Sequence, residues 1–176
     1  RPEAVRADCL PSCDSGADYI TAAGVVPDVE VASGAGPDGS DGVFVSGVPF
    51  YVQQRNLSCE YASLYIATAA YGDGISEYAF DDVVGWSDNP HWGYRGDING
   101  WWGNTTDYGV YAEALANALP QFGFQGNVFY TGGETDQLIK YIDSDVPVLV
   151  WLGLWGDQSI IDETDGVTYR VTAGMH

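Results

Sequence analysis

The chain has 176 residues, with 25 Asp and Glu against 6 Lys and Arg, for a formal charge of −19. So acidic a surface lacks the basic footprint that a nucleic-acid partner requires. With 45% hydrophobic and 14% aromatic residues, the chain has ample core material for one domain and is not disordered as a whole. Its longest apolar run, Val146 to Trp155, is about half the ~20 residues that a membrane-spanning helix needs. Residue 1 is Arg and no charged-then-apolar leader follows, which reads as a processed N-terminus.

Residues 1–46 are rich in Gly, Ala, Ser, Pro and Asp and are expected to form a flexible N-terminal extension, with room for one short strand at Gly24 to Val31. Cys9 and Cys13 enclose only Leu-Pro-Ser, a loop that a disulfide closes in an oxidising compartment. With the acidic composition, that pair points to a secreted or cell-surface protein. The run Gly34 to Gly42 alternates Asp, Gly and Ser and offers oxygen ligands to Ca²⁺. It lacks the spaced ligands and closing Glu of an EF-hand loop, so it reads as solvated linker.

Residues 47–176 form the compact domain. Val48 to Val52 predicts a short strand. Cys59 to Tyr71 predicts a helix, since Ala62, Ile66, Ala69 and Ala70 recur at three- and four-residue steps, Ser58 precedes it as a candidate N-cap and Gly72 follows it. Ser76 to Val84 and Tyr111 to Leu119 predict two more helices, the second stopped by Pro120. Between them, Trp86 to Gly109 is a long irregular stretch of Gly, Trp and Asn. Its aromatics, among them Trp101, Trp102 and Tyr108, read either as a small core holding the loop or as a platform for substrate. Packing is the favoured reading. Further on, Asn127 to Tyr130 predicts a strand, Thr135 to Ile142 an amphipathic helix, Val146 to Leu152 a buried strand and Val167 to Thr172 a last strand. Helices first and strands last favour an α+β fold.

Cys59 opens a helix, where backbone N–H groups and the helix dipole favour a thiolate. Its partner as base must be one of two histidines, His91 in the Trp-rich loop or His176 after the last strand. His91, flanked by aromatics, reads as a packing residue. Gln53 stands six residues before Cys59, where a side-chain amide can complete an oxyanion hole. Two distant histidines without a nearby Cys or His partner do not make a zinc site. Pairs such as Asp81-Asp82 and Asp162-Glu163 are expected by chance among so many acids and carry no glycosidase argument. The sequons at Asn56 and Asn104 are weak signals for a glycan.

Taken in order, Val48-Pro-Phe-Tyr-Val-Gln53, Cys59-Glu-Tyr-Ala-Ser-Leu, Tyr108-Gly-Val-Tyr, Val146-Pro-Val-Leu-Val-Trp151 and Ala173-Gly-Met-His176 resemble the papain-like cysteine peptidases related to the double-glycine leader peptidase domains of bacteriocin transporters. The nearest likeness is to secreted, stand-alone bacterial members. The resemblance covers about residues 47 to 176. It implies a helix carrying Cys packed on an antiparallel sheet carrying His, with Cys59 as nucleophile, His176 as general base and Gln53 as the oxyanion-hole amide. It also implies a peptide or protein substrate and no cofactor. Where such transporter domains commonly have Asp-Cys-Gly, this chain has Ser58-Cys59-Glu60. They also continue past the His with strands, one bearing an Asp or Asn that orients the imidazole. The expectation is therefore a C-terminally incomplete sheet, in which the sequence is a fragment, the chain has been cleaved, or another chain supplies the missing strands by strand addition in a homo-oligomer. The alternative function is an inactive structural or binding subunit of an extracellular assembly or filament.

Overall fold

A computed structural model describes the backbone of residues 21–27 and, with side chains, residues 45–72, 74–130, 135–152 and 158–174. Helices α1 (Cys59–Ala69), α2 (Asp81–Val84) and α3 (Ala112–Ala118) pack around one core, and α4 (Asp136–Asp143) lies outside it. Strand β1 (Thr21–Pro27) lies between β2 (Phe124–Tyr130) and β3 (Val148–Trp151), antiparallel to both. A separate antiparallel pair joins β4 (Ser159–Thr164) to β5 (Val167–Thr172). Helices with small antiparallel sheets make an α+β fold, as the order of sequence patterns predicts.

The helix forms where expected, but its inward face differs: Tyr61, Ala62, Leu64, Ala67 and Thr68 are buried, whereas Ile66, Ala69 and Ala70 of the predicted stripe are only half-buried. Tyr61 and Leu64 meet Phe80, Leu115, Leu119, Leu149 and Trp151 in the central cluster. Ser58 does not cap this helix; its hydroxyl donates to Arg55 O at 3.2 Å, and its backbone carbonyl accepts from Ala62 N–H. Pro120 does mark the end of α3, whose last residue is Ala118. It enters a 3-10 turn, Leu119–Phe122, because a first-turn proline needs no donor, and the left-handed Gly123 ends the element. The predicted strand at Val48 to Val52 is irregular: Pro49 lacks a donor, no strand among the described residues pairs with it, and Phe50 is 91% exposed while Tyr51 stacks on Tyr65.

Two strands depart from expectation. β4 was not foreseen, although Asp165-Gly166 marks its turn: both residues take positive φ (52° and 79°), the twist that a two-residue hairpin needs. β1 arises within the stretch expected to be an extension, yet it pairs inside its own chain and fills the space between β2 and β3. A neighbour is not needed for that strand. Nor is the β5 backbone left bare, because Tyr111 Oη donates to Arg170 O at 3.0 Å and Thr172 N–H donates to Tyr108 Oη at 3.2 Å. Tyr111→Phe removes this hydrogen bond and the one between the Tyr108 and Tyr111 hydroxyls, and is expected to cost about 1–3 kcal/mol, measured by urea unfolding. Loss below 0.5 kcal/mol would show that water replaces the hydroxyl. Cys9, Cys13 and the Gly34 to Gly42 run lie outside the described residues. No helix among those residues is long and apolar enough to cross a membrane.

Candidate active site around Cys59

The loop before α1 is fixed from two sides. Arg55 donates twice to the Asp81 carboxylate, at 2.9 and 2.7 Å, and once to Glu77 O, while its guanidinium lies 4.5 Å from the centre of the Tyr78 ring. Glu77 is fully buried and accepts from Gln54 N–H at 2.9 Å. On the other side, Leu57 N–H donates to Ile98 O, Tyr94 Oη donates to Leu57 O at 2.5 Å and Asn56 Nδ2 donates to Asn99 O. These contacts tie the start of α1 to the Trp-rich loop and set the position of Cys59.

That loop is irregular, as predicted, but it is closed at its neck. Arg95 pairs with Gly109, Asp97 N–H donates to Asp107 Oδ1, and Asn104 Oδ1 accepts from Thr106 and Asp107 N–H. Its tryptophans are not the small core that was favoured: Trp86, Trp92, Trp101 and Trp102 are all exposed, Trp101 by 85%, whereas Tyr94 is buried. Short hydrogen-bonded turns hold the loop, so its indoles can face solvent. Both sequon amides are engaged internally, Asn56 as above and Asn104 on Trp101 O.

A shallow cleft joins these parts. It is lined by Leu57, Cys59, Trp102, Gly103, Asn104, Asp107, Tyr108 and Gly174. Cys59 is the first residue of α1. Trp102 and Tyr108 line this cleft with Cys59, while Trp101 lies outside the lining. His176 falls outside the described residues, but Gly174, two positions before it, lines the cleft with Cys59. The tyrosine contacts to β5 hold that end of the chain here. Gln53 is exposed, and its Nε2 donates to Arg55 O and Asn56 O, both at 2.9 Å, so both amide protons are engaged in its own loop. His91 is away from this lining; its Nδ1 is 2.8 Å from Glu113 Oε2 and its ring packs on Tyr111, consistent with a packing role. Among the described residues no three His, Cys, Asp or Glu side chains come together to hold a metal.

Glu60, the acidic residue next to Cys59 in the sequence, is expected to oppose a thiolate there. Glu60 turns back over the thiol: Cys59 Sγ donates to Oε2 at 3.2 Å, and Oε1 accepts from Val110 N–H at 3.1 Å. Only glycine at 109 permits this, since a Cβ there, at φ +131°, would lie 2.1 Å from Oε1. Desolvation raises the Glu60 pKa to about 7. Burial, then the Glu60 charge, pushes the Cys59 pKa up strongly, outweighing the helix-terminus effect expected from sequence. Because the folded Glu60 keeps its proton to higher pH than an unfolded one, its contribution to stability is full below the unfolded value near 4.5 and declines as pH rises toward 7.

No curated protein and no solved structure matches the chain. The sequence profile of the Peptidase_C39 like family matches residues 45–176, from the segment before the cleft loop through α1, the Trp-rich loop and β5. That span contains every described residue of the cleft, and its length is more than half the chain. This chain therefore carries a cysteine peptidase-like domain and belongs to the Peptidase_C39 like family.

Proposed function

We propose that this is a papain-like cysteine peptidase domain that hydrolyses a peptide amide bond outside the cell. Cys59 Sγ attacks the carbonyl carbon, His176 acts as the general base, and Trp102 and Tyr108 flank the bound peptide. The observation that carries the reading is the cleft itself, which sets a thiol at the start of an 11-residue helix beside Gly174 and between aromatic walls. Backbone N–H groups at that helix start are suited to an oxyanion. Gln53 joins them once its amide leaves Arg55 O and Asn56 O. The acidic composition and the Cys9–Cys13 spacing support an extracellular site of action.

A second reading, an inactive structural or binding subunit, draws support from the same geometry, since the thiol is hydrogen-bonded to a carboxylate and its pKa is raised. One experiment separates the two. The native protein is treated with a thiol-directed peptide probe and, separately, with a mixture of unstructured peptides, and products are identified by mass spectrometry. Stoichiometric labelling at Cys59 with cleaved peptides upholds the peptidase. An unlabelled Cys59 and intact peptides uphold the inert subunit.

A further inference from the structure

We infer that the cleft selects peptides carrying a Lys or Arg side chain beside the bond presented to Cys59, and that Asp107 and Trp102 are the residues that read this cation. In its meaning for catalysis this rests on the peptidase reading above, whereas the binding preference can be measured without it. The case starts from what the lining can offer a ligand. Leu57 N–H and its carbonyl are taken by Ile98 O and Tyr94 Oη. The Asn104 side chain is used at both ends, with Nδ2 on Trp101 O and Oδ1 on the Thr106 and Asp107 amides. The Tyr108 hydroxyl meets Tyr111 Oη at 2.7 Å and Thr172 N–H at 3.2 Å. Burial raises its pKa to about 12, so it is neutral at pH 7 and has only its ring left for a ligand.

Asp107 differs from these neighbours. Its Oδ1 accepts from Asp97 N–H at 3.0 Å, while Oδ2 has no hydrogen-bond donor among the described residues. Gly100 gives that carboxylate its room, since a Cβ there would lie 2.5 Å from Oδ2. The side chain is half-buried, so a cation that reaches it is partly withdrawn from solvent screening. Trp102 lines the same cleft and is 55% exposed. At Gly103, between the two in the lining, a Cβ would meet nothing within 4 Å among the described residues, so there is space for a ligand side chain. A carboxylate and an indole in one cleft suit a guanidinium or an ammonium, which takes charge pairing from the first and cation–π attraction from the second.

The protein's own cations do not compete for this place. Neither Lys nor Arg lines the cleft; Arg55 is held by Asp81, Arg95 by Asp162, and Lys140 lies on α4, outside the core. The formal charge of −19 adds a long-range field that draws basic peptides to the surface and turns acidic ones away. A bound cation also bears on the chemistry. In the resting cleft, burial and the Glu60 charge oppose ionisation of Cys59. A positive group brought into the same cleft acts against that charge and favours the thiolate, while His176 remains the proposed base. An acidic peptide would add to the opposition instead.

The test uses unstructured peptides identical except for one central residue, which is Arg, Gln or Glu. Binding is read by calorimetry on Cys59→Ser, and cleavage on the natural protein. The Arg peptide is expected to bind about tenfold tighter than the Gln peptide or better, the combined scale of a half-buried ion pair and a cation–π contact, with the Glu peptide weakest. Asp107→Asn, added to Cys59→Ser, keeps an acceptor for Asp97 N–H, so it should leave the Gln peptide's affinity unchanged and cut the Arg preference to about threefold or less. Asp136→Asn, at the exposed first turn of α4, should leave the preference intact. Equal binding of the Arg and Gln peptides overturns the inference. So does a preference that both variants weaken alike, since that reflects total charge. If Asp107→Asn does not fold, the Asp107 amide and Trp102 indole N–H resonances of Cys59→Ser decide. The Arg peptide must shift both, and more than the Gln peptide does at the same concentration; resonances that stay in place overturn the inference. Cleavage is scored apart: Asp107-dependent Arg binding without hydrolysis upholds the inference and removes the peptidase reading, while hydrolysis of all three peptides at equal kcat/KM removes the inference alone.

Discussion

Replacement of Cys59 by serine is expected to lower peptide hydrolysis by ~10⁴-fold or more, the scale seen when a covalent nucleophile is removed. Serine is close to cysteine in size, and the residue is half-buried at the first position of α1, so the fold should survive with a stability change below about 1.5 kcal/mol. A hydroxyl in the same place is a far weaker acid than the thiol and so a far poorer nucleophile near neutral pH. The assay compares kcat/KM of the two proteins on the best peptide found with the natural one, with circular dichroism as the check on folding. Retention of a tenth or more of the activity in a folded Cys59→Ser protein would place the chemistry elsewhere.

Removing Glu77 is expected to have the largest effect on stability. Its side chain is fully buried, Oε1 accepts from Gln54 N–H, and Oε2 faces Arg55 Nε at 3.9 Å, too far for a hydrogen bond and near enough for charge pairing. Both of those facing atoms lack a hydrogen-bond partner, so the contact works through charge alone. Glu77→Ala leaves Arg55, itself 92% buried by its 8% side-chain exposure, with only the half-exposed Asp81 as counter-charge. Breaking one partner of a buried pair costs on the order of 3–5 kcal/mol. Glu77→Gln keeps the acceptor for Gln54 and should lose less, so the difference between the two variants in urea unfolding isolates the charge. Since Arg55 and Gln54 fix the loop into α1, the Ala variant should also label faster at Cys59. A loss under 1 kcal/mol would show that Asp81 alone holds the arginine.

The helix bearing Cys59 is written locally in the chain: its alanine steps, and the glycine that follows, need no distant partner to be read. β5 and the helix Ala112–Ala118 are legible for the same reason. The β4–β5 hairpin was equally local through Asp165-Gly166, and it escaped only because the β4 pattern alternates poorly, with Ser159, Ile160 and Ile161 all exposed. Other features depend on what comes alongside from far away in sequence. Val48 to Val52 has strand-like residues but pairs with no strand among the described residues, whereas Thr21–Pro27, in a stretch that composition marks as linker, lies between two strands that supply its hydrogen bonds. Backbone pairing overrides weak propensity. The exposure of the tryptophans follows from a loop closed by turns rather than by apolar packing. At the site, spacing alone puts Gln53 within reach of Cys59, but its own loop carbonyls hold the amide. Adjacency alone puts Glu60 beside the thiol, but successive helix residues diverge by about 100°. It is the Gly109-Val110 backbone, about 50 residues further along the chain, that holds the carboxylate back over the sulfur, where its charge opposes ionisation of the thiol.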